Sequence, residues 1–88
     1  MTQTGKGRLK MNIKVLLNSV EKIQGFVSIM KEATCDIDLI SGRDVYLDAK
    51  SILGILSCDV RKPMILDIHA DSEERDLIIS KLVEYLVA

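Results

Sequence analysis

The chain divides by hydrophobic period into alternating short strands and helices. Met11, Ile13, Val15 and Leu17 alternate with Asn12, Lys14 and Leu16, the period-two pattern of a half-buried strand. Val20, Ile23, Phe26, Val27 and Met30 then recur at helical spacing and predict one buried stripe ending near Ala33. Asn18 or Ser19 is positioned to cap that helix, and Asn18 with Glu21 has capping-box spacing. Cys35, Ile37 and Leu39 alternate with Asp36 and Asp38. A Ser41-Gly42-Arg43 turn leads into Val45, Leu47 and Ala49, alternating with Asp44, Tyr46 and Asp48, so the two runs predict a hairpin. The stretch from Ser51 to Ser57 is too apolar for a loop and lacks period two, which predicts a short helix capped by Ser51. After a turn at Arg61-Lys62-Pro63, Met64, Leu66 and Ile68 alternate with Ile65, Asp67 and His69 as a fourth strand. Asp71 and Glu74 open a last helix whose apolar face is Leu77, Ile78, Leu82, Tyr85 and Leu86.

The order is therefore β-α-β-β-α-β-α. Alternation in every strand leaves one sheet face wet and the other covered, so all three helices are expected on one side. The predicted fold class is α+β, an open-faced sandwich with a four-stranded antiparallel sheet under three helices. Residues 11–88 form the single domain. Residues 1–10, with Lys6, Arg8 and Lys10 among glycines, read as a flexible tail: either a remnant of expression or an extension ahead of a start at Met11.

Composition narrows the function. Eighty-eight residues allow one core, and 48% apolar content is enough to fold it without a metal or disulfides. Aromatics are only 3%, which removes stacking platforms for single-stranded nucleic acid. A formal charge of −1 removes the basic footprint of a DNA or RNA binder. No apolar run is long enough to insert in a membrane and no signal peptide is evident, so a cytoplasmic location is expected. Cys35 and Cys58 make no disulfide framework and lack metal-ligand spacing, so neither a metal nor a cofactor is expected.

Candidate chemistry is sparse. A general base near neutral pH needs a nucleophile within reach, and the one histidine, His69, falls on the open face beside Ile65 and Asp67. An ordinary surface histidine is the better reading. Asp36, Asp38, Asp44, Asp48 and Asp67 form acidic rows that a solvated face explains better than a cation site. Cys35 alternates inward as a small hydrophobe, and Cys58 has no cationic neighbour in sequence to activate it. Ser51 differs. As an N-cap it contributes about 1 kcal/mol, which alone explains its presence. Yet Ile52, Leu53 and Leu56 behind it are hard to bury on so short a helix and predict an exposed patch for a partner. A phosphate on Ser51 would meet the favourable end of the helix dipole and alter that patch, with Lys50 placed to neutralise the added charge.

The run Asp48-Ala49-Lys50-Ser51-Ile52-Leu53-Gly54-Ile55-Leu56-Ser57 resembles the regulatory serine segment of HPr, the histidine phosphocarrier of the sugar phosphotransferase system. The likeness extends from about Met11 to Ala88 through Phe26-Val27, the Asp36–Leu39 strand, the Lys62 turn and Ala70-Asp71-Ser72-Glu73. It implies the same four-stranded, three-helix fold. It also implies that Ser51 is the residue modified by HPr kinase/phosphorylase, and that Ile52, Leu53 and Leu56, with Lys50 beside them, dock protein partners such as a regulator.

One departure is large. The family's phosphorylated histidine, followed by alanine, arginine and proline, matches Ser19 to within a residue, with Val20, Glu21 and Lys22 after it. Glu21 repels a phosphoryl group where the family's arginine holds one, and a serine ester is too stable to pass phosphate on. The implied protein is thus a bacterial, non-enzymatic, regulatory relative of HPr. It is similar in logic to the histidine-less catabolite-repression type and acts in carbon regulation as a monomer or weak dimer. Partner docking in the family also uses the arginine position that Glu21 holds, which sets the usual transcriptional partner in doubt. Two alternatives stand beside this: a constitutive interaction module in which Ser51 only caps, and a residual phosphocarrier using His69 or Ser19.

Overall fold

A computed structural model describes residues 13–87; the tail expected at 1–10 lies outside them. The elements are β1 (Ile13–Val15), α1 (Val20–Glu32), β2 (Asp36–Ser41), β3 (Val45–Asp48), α2 (Ile52–Leu56), β4 (Met64–His69), α3 (Ser72–Ser80), a 3₁₀ turn (Val83–Tyr85) and β5 (Leu86–Val87). The sheet runs β3-β2-β4-β1-β5 with every pair antiparallel. The predicted class holds, with five strands instead of four. Gly42 at φ 65° makes the β2–β3 turn, a left-handed conformation that glycine adopts without a Cβ penalty.

Three local signals set the helices. Ser19, not Asn18, caps α1: its Oγ accepts the Lys22 amide at 3.1 Å. Ser51 caps α2, and Asp71 caps α3 by accepting the Glu74 amide at 2.9 Å. Ile23, Phe26, Val27 and Met30 of α1, Ile55 of α2 and Ile78 of α3 close over Ile37, Leu39, Met64, Leu66 and Ile68 of the sheet as one core. Phe26 meets Tyr85 edge-on, with ring centroids 6.0 Å apart.

Some expected inward residues are not inward. Val20 is 60% exposed because it starts the first turn of α1, ahead of the part that crosses the sheet. Val45 is 49% exposed because β3 is the outer strand and the helices do not reach its far end. Leu77 is exposed as well. The last helix stops at Ser80, so Leu82, Tyr85 and Leu86 do not share its face. Leu82 is buried beyond the helix, and Tyr85 enters the core from the 3₁₀ turn. Leu86 and Val87 pair with Val15 and Lys14, while Leu16 donates its amide to the Tyr85 carbonyl at 2.9 Å. Leaving the helix satisfies the backbone of β1 along what would otherwise be an open edge.

Candidate functional site

The loop ahead of α2 is fixed at both its backbone and its side chains. Ala49 is fully buried and donates its amide to the Ile37 carbonyl at 3.0 Å, which anchors the loop to β2. The Asp48 carboxylate accepts the Lys50 amide at 2.9 Å, and the Asp48 carbonyl accepts the Ser51 amide at 3.0 Å. Ser51 therefore enters the helix in extended conformation, φ −107° and ψ 108°, with Oγ accepting the Gly54 amide at 3.1 Å. At the other end Ser57 Oγ donates to the Gly54 carbonyl at 2.6 Å, and the Cys58 amide donates to the Ile55 carbonyl. A helix this short is held by these ends and by one buried side chain, Ile55.

The outward side of α2 is apolar. Leu53 is 81% exposed and Leu56 48%, three residues apart on one face, while Ile52 is half-buried against the core. No acidic residue lies in the first turn of α2 and no basic one in its last. Lys50 does not face Ser51's surroundings alone. Its ammonium donates to the carbonyls of Ala33 and Cys35, each at 3.0 Å, tying the serine loop to the α1–β2 connection. Nothing in the sequence revealed this tie, because its partners lie far back along the chain.

Ser19 sits exposed at the start of α1 with exposed Glu21 in the first turn. His69 lies on the open sheet face as expected, but it is engaged. Its Nε2 is 3.1 Å from Asp38 Oδ2 and 3.5 Å from Asp67 Oδ2. The hydrogen bond to Asp38 is the largest influence and raises the imidazole pKa above 6.5; burial, next in size, opposes it, and the nearby Asp67, Asp38 and Asp36 charges add to the rise. Asp36, Ile37, Asp38, Asp48, Lys50 and His69 line a shallow groove there of about 440 Å³. Strand alternation put these carboxylates on one face; their convergence on His69 depends on register, which alternation does not give.

Cys35 is half-buried against the core, and its thiol pKa is raised by burial first and by the Glu74 charge second. Cys58 is half-buried and within 3.9 Å of Ser57 Oγ. No helix among the described residues is long and apolar enough to cross a membrane.

An antiparallel, open-faced α+β sheet carrying three helices is consistent with an HPr-like domain. Comparison with protein families agrees: the model described as "PTS HPr component phosphorylation site" matches residues 22–88. The chain belongs to the HPr family of the phosphotransferase system. Searches of the curated proteins and of the solved structures found no match. Members of the family are phosphocarrier proteins rather than enzymes and act by contact with other phosphotransferase proteins. The matched segment contains Ser51 and begins at Lys22, three residues beyond Ser19.

Proposed function

We propose that this chain is a regulatory member of the HPr family, not a phosphocarrier, in which Ser51 accepts phosphate and the face of α2 docks a protein partner. The observation that carries this reading is the exposure of Leu53 and Leu56 directly behind a serine cap. A phosphoryl group adds roughly −1.5 to −2 charges at the margin of that apolar face, while the fold beneath it rests on Ile55 and Ala49. Partner affinity then responds to phosphate without unfolding. Ile52 backs the patch from the core side, and Lys50 borders it.

The relay function is assigned no residue. The only histidine is on the opposite, open face of the sheet, engaged with Asp38 and Asp67. At Ser19 a phosphoryl group would meet Glu21. The partners are an HPr kinase/phosphorylase and a protein regulator in the bacterial cytoplasm, with neither nucleic acid nor a cofactor taking part. The protein works as a monomer or weak dimer.

Intact-mass measurement after incubation with HPr kinase/phosphorylase and ATP tests this. One added phosphate that disappears in Ser51→Ala is the expected result. An unmodified chain, with HPr itself modified in parallel, refutes it. A constitutive interaction module is the second reading, favoured by the existing role of Ser51 Oγ as a cap. On that reading Ser51→Asp leaves partner capture unchanged. Acid-labile labelling from enzyme I and phosphoenolpyruvate would instead restore a phosphocarrier using His69, and acid-stable labelling lost in Ser19→Ala one using Ser19.

A further inference from the structure

We propose that Asp38, Asp67 and His69 form a binding site for a divalent transition-metal ion, with zinc as the natural probe, on the open face of the sheet. The site follows from register. Asp48 stands opposite Asp38 across β3–β2, Asp38 opposite Asp67 across β2–β4, and Asp36 opposite His69. Three carboxylates thus line up side by side over three adjacent strands. Like charges directly opposed across a strand pair destabilise a sheet.

The nearby cation does not relieve this. Lys50 lines the same groove but gives its ammonium to the Ala33 and Cys35 carbonyls. Among the described residues, the ion pairs made by Asp38 and Asp67 are both to His69. An alternating solvated face accounts for acidic residues on this side; it does not account for their gathering around one imidazole.

The distances suit an ion. The three side chains offer ligand atoms that all lie within 4.8 Å of one another. Zinc bonds of about 2.0–2.2 Å to imidazole nitrogen and carboxylate oxygen place neighbouring tetrahedral ligands about 3.3–3.5 Å apart. His69 Nε2 lies 3.1 Å from Asp38 Oδ2, slightly inside that spacing, and 3.5 Å from Asp67 Oδ2, at its upper end. Both aspartates are half-buried on central strands, so little ordering is left to do. An imidazole beside two carboxylates favours a transition ion over calcium or magnesium, which take oxygen ligands. Three protein ligands on an open face leave a fourth position to water. Asp36 and Asp48 flank the site as outer carboxylates able to orient that water. A proton on His69 must leave when the ion binds, so affinity falls as pH falls.

Calorimetric titration of the untagged, chelator-stripped full chain with zinc, manganese and calcium chlorides tests the site. One zinc per chain is expected. Its affinity should fall at least about tenfold in His69→Gln and in Asp67→Asn, both verified as folded by circular dichroism, and should be retained in Cys58→Ser and Cys35→Ser. Zinc should also shift the His69 ring resonances of the native protein. Absence of saturable zinc binding, binding that survives His69→Gln, binding lost with the cysteines, or equally tight calcium binding would each overturn the proposal.

Discussion

Replacing Lys50 by Met isolates the tie between the serine loop and the end of α1. Met keeps most of the aliphatic stem and removes the ammonium, so the packing of the stem is largely preserved. What is lost is two charge-assisted hydrogen bonds, each 3.0 Å long, to the Ala33 and Cys35 carbonyls. Such bonds contribute about 1.5–3 kcal/mol each when enclosed. This pair is only part-buried, and water can reach the freed carbonyls, so the expected loss for both together is about 2 kcal/mol. For a domain of this size that is roughly 8–16 °C in Tm. Urea denaturation should show a lower midpoint with an unchanged slope. A second readout separates local from global effects. Cys35 follows Ala33 closely and is half-buried, so opening of this connection should raise its reaction rate with a thiol reagent in a Cys58→Ser background. A Lys50→Met protein within about 0.5 kcal/mol of the parent, with unchanged Cys35 reactivity, would refute the tie.

Three further outcomes are expected. Ser51→Ala removes the α2 cap and should cost about 1 kcal/mol, whereas Ser51→Asp keeps an acceptor and should cost less in the same denaturation assay. Gly25→Ala, which stabilises an ordinary helix, should destabilise this one by about 1–3 kcal/mol, because the new Cβ overlaps the Tyr85 hydroxyl; Tyr85→Phe should recover most of the loss in a double-mutant cycle. In chelator, the raised pKa of His69 makes its charged pairing with Asp38 and Asp67 fully present below about pH 6.5, and lost as pH rises through the higher folded value. With the side chain half-exposed, the effect should stay below about 1 kcal/mol. A pH–stability profile of His69→Gln should lack this component; an identical profile would contradict the assignment.

Sequence pattern revealed the elements where a strand has neighbours on both sides. Met64, Leu66 and Ile68 of β4 are all buried as alternation requires, since β4 lies between β2 and β1. The same pattern overstated Val45, because alternation carries no information about which strand is outermost. At the chain's end, Leu82, Tyr85 and Leu86 keep helical spacing, yet pairing with β1 outweighs another turn of helix. The Ser51 cap and the exposed Leu53 and Leu56 were legible because capping and short-helix burial are local. The Lys50 tie and the Asp38–Asp67–His69 cluster were not, because both join residues distant in sequence.

The strand order also constrains the path by which the domain assembles. β1, the first described element, is flanked by β4 and by β5, the last. Its partners are therefore made only late in translation, while the local β2–β3 hairpin can form early. Non-local pairing of this kind slows closure. During synthesis, Val15 and Leu17 must wait with their apolar surface uncovered, a window in which a chaperone or a neighbouring nascent chain competes for them.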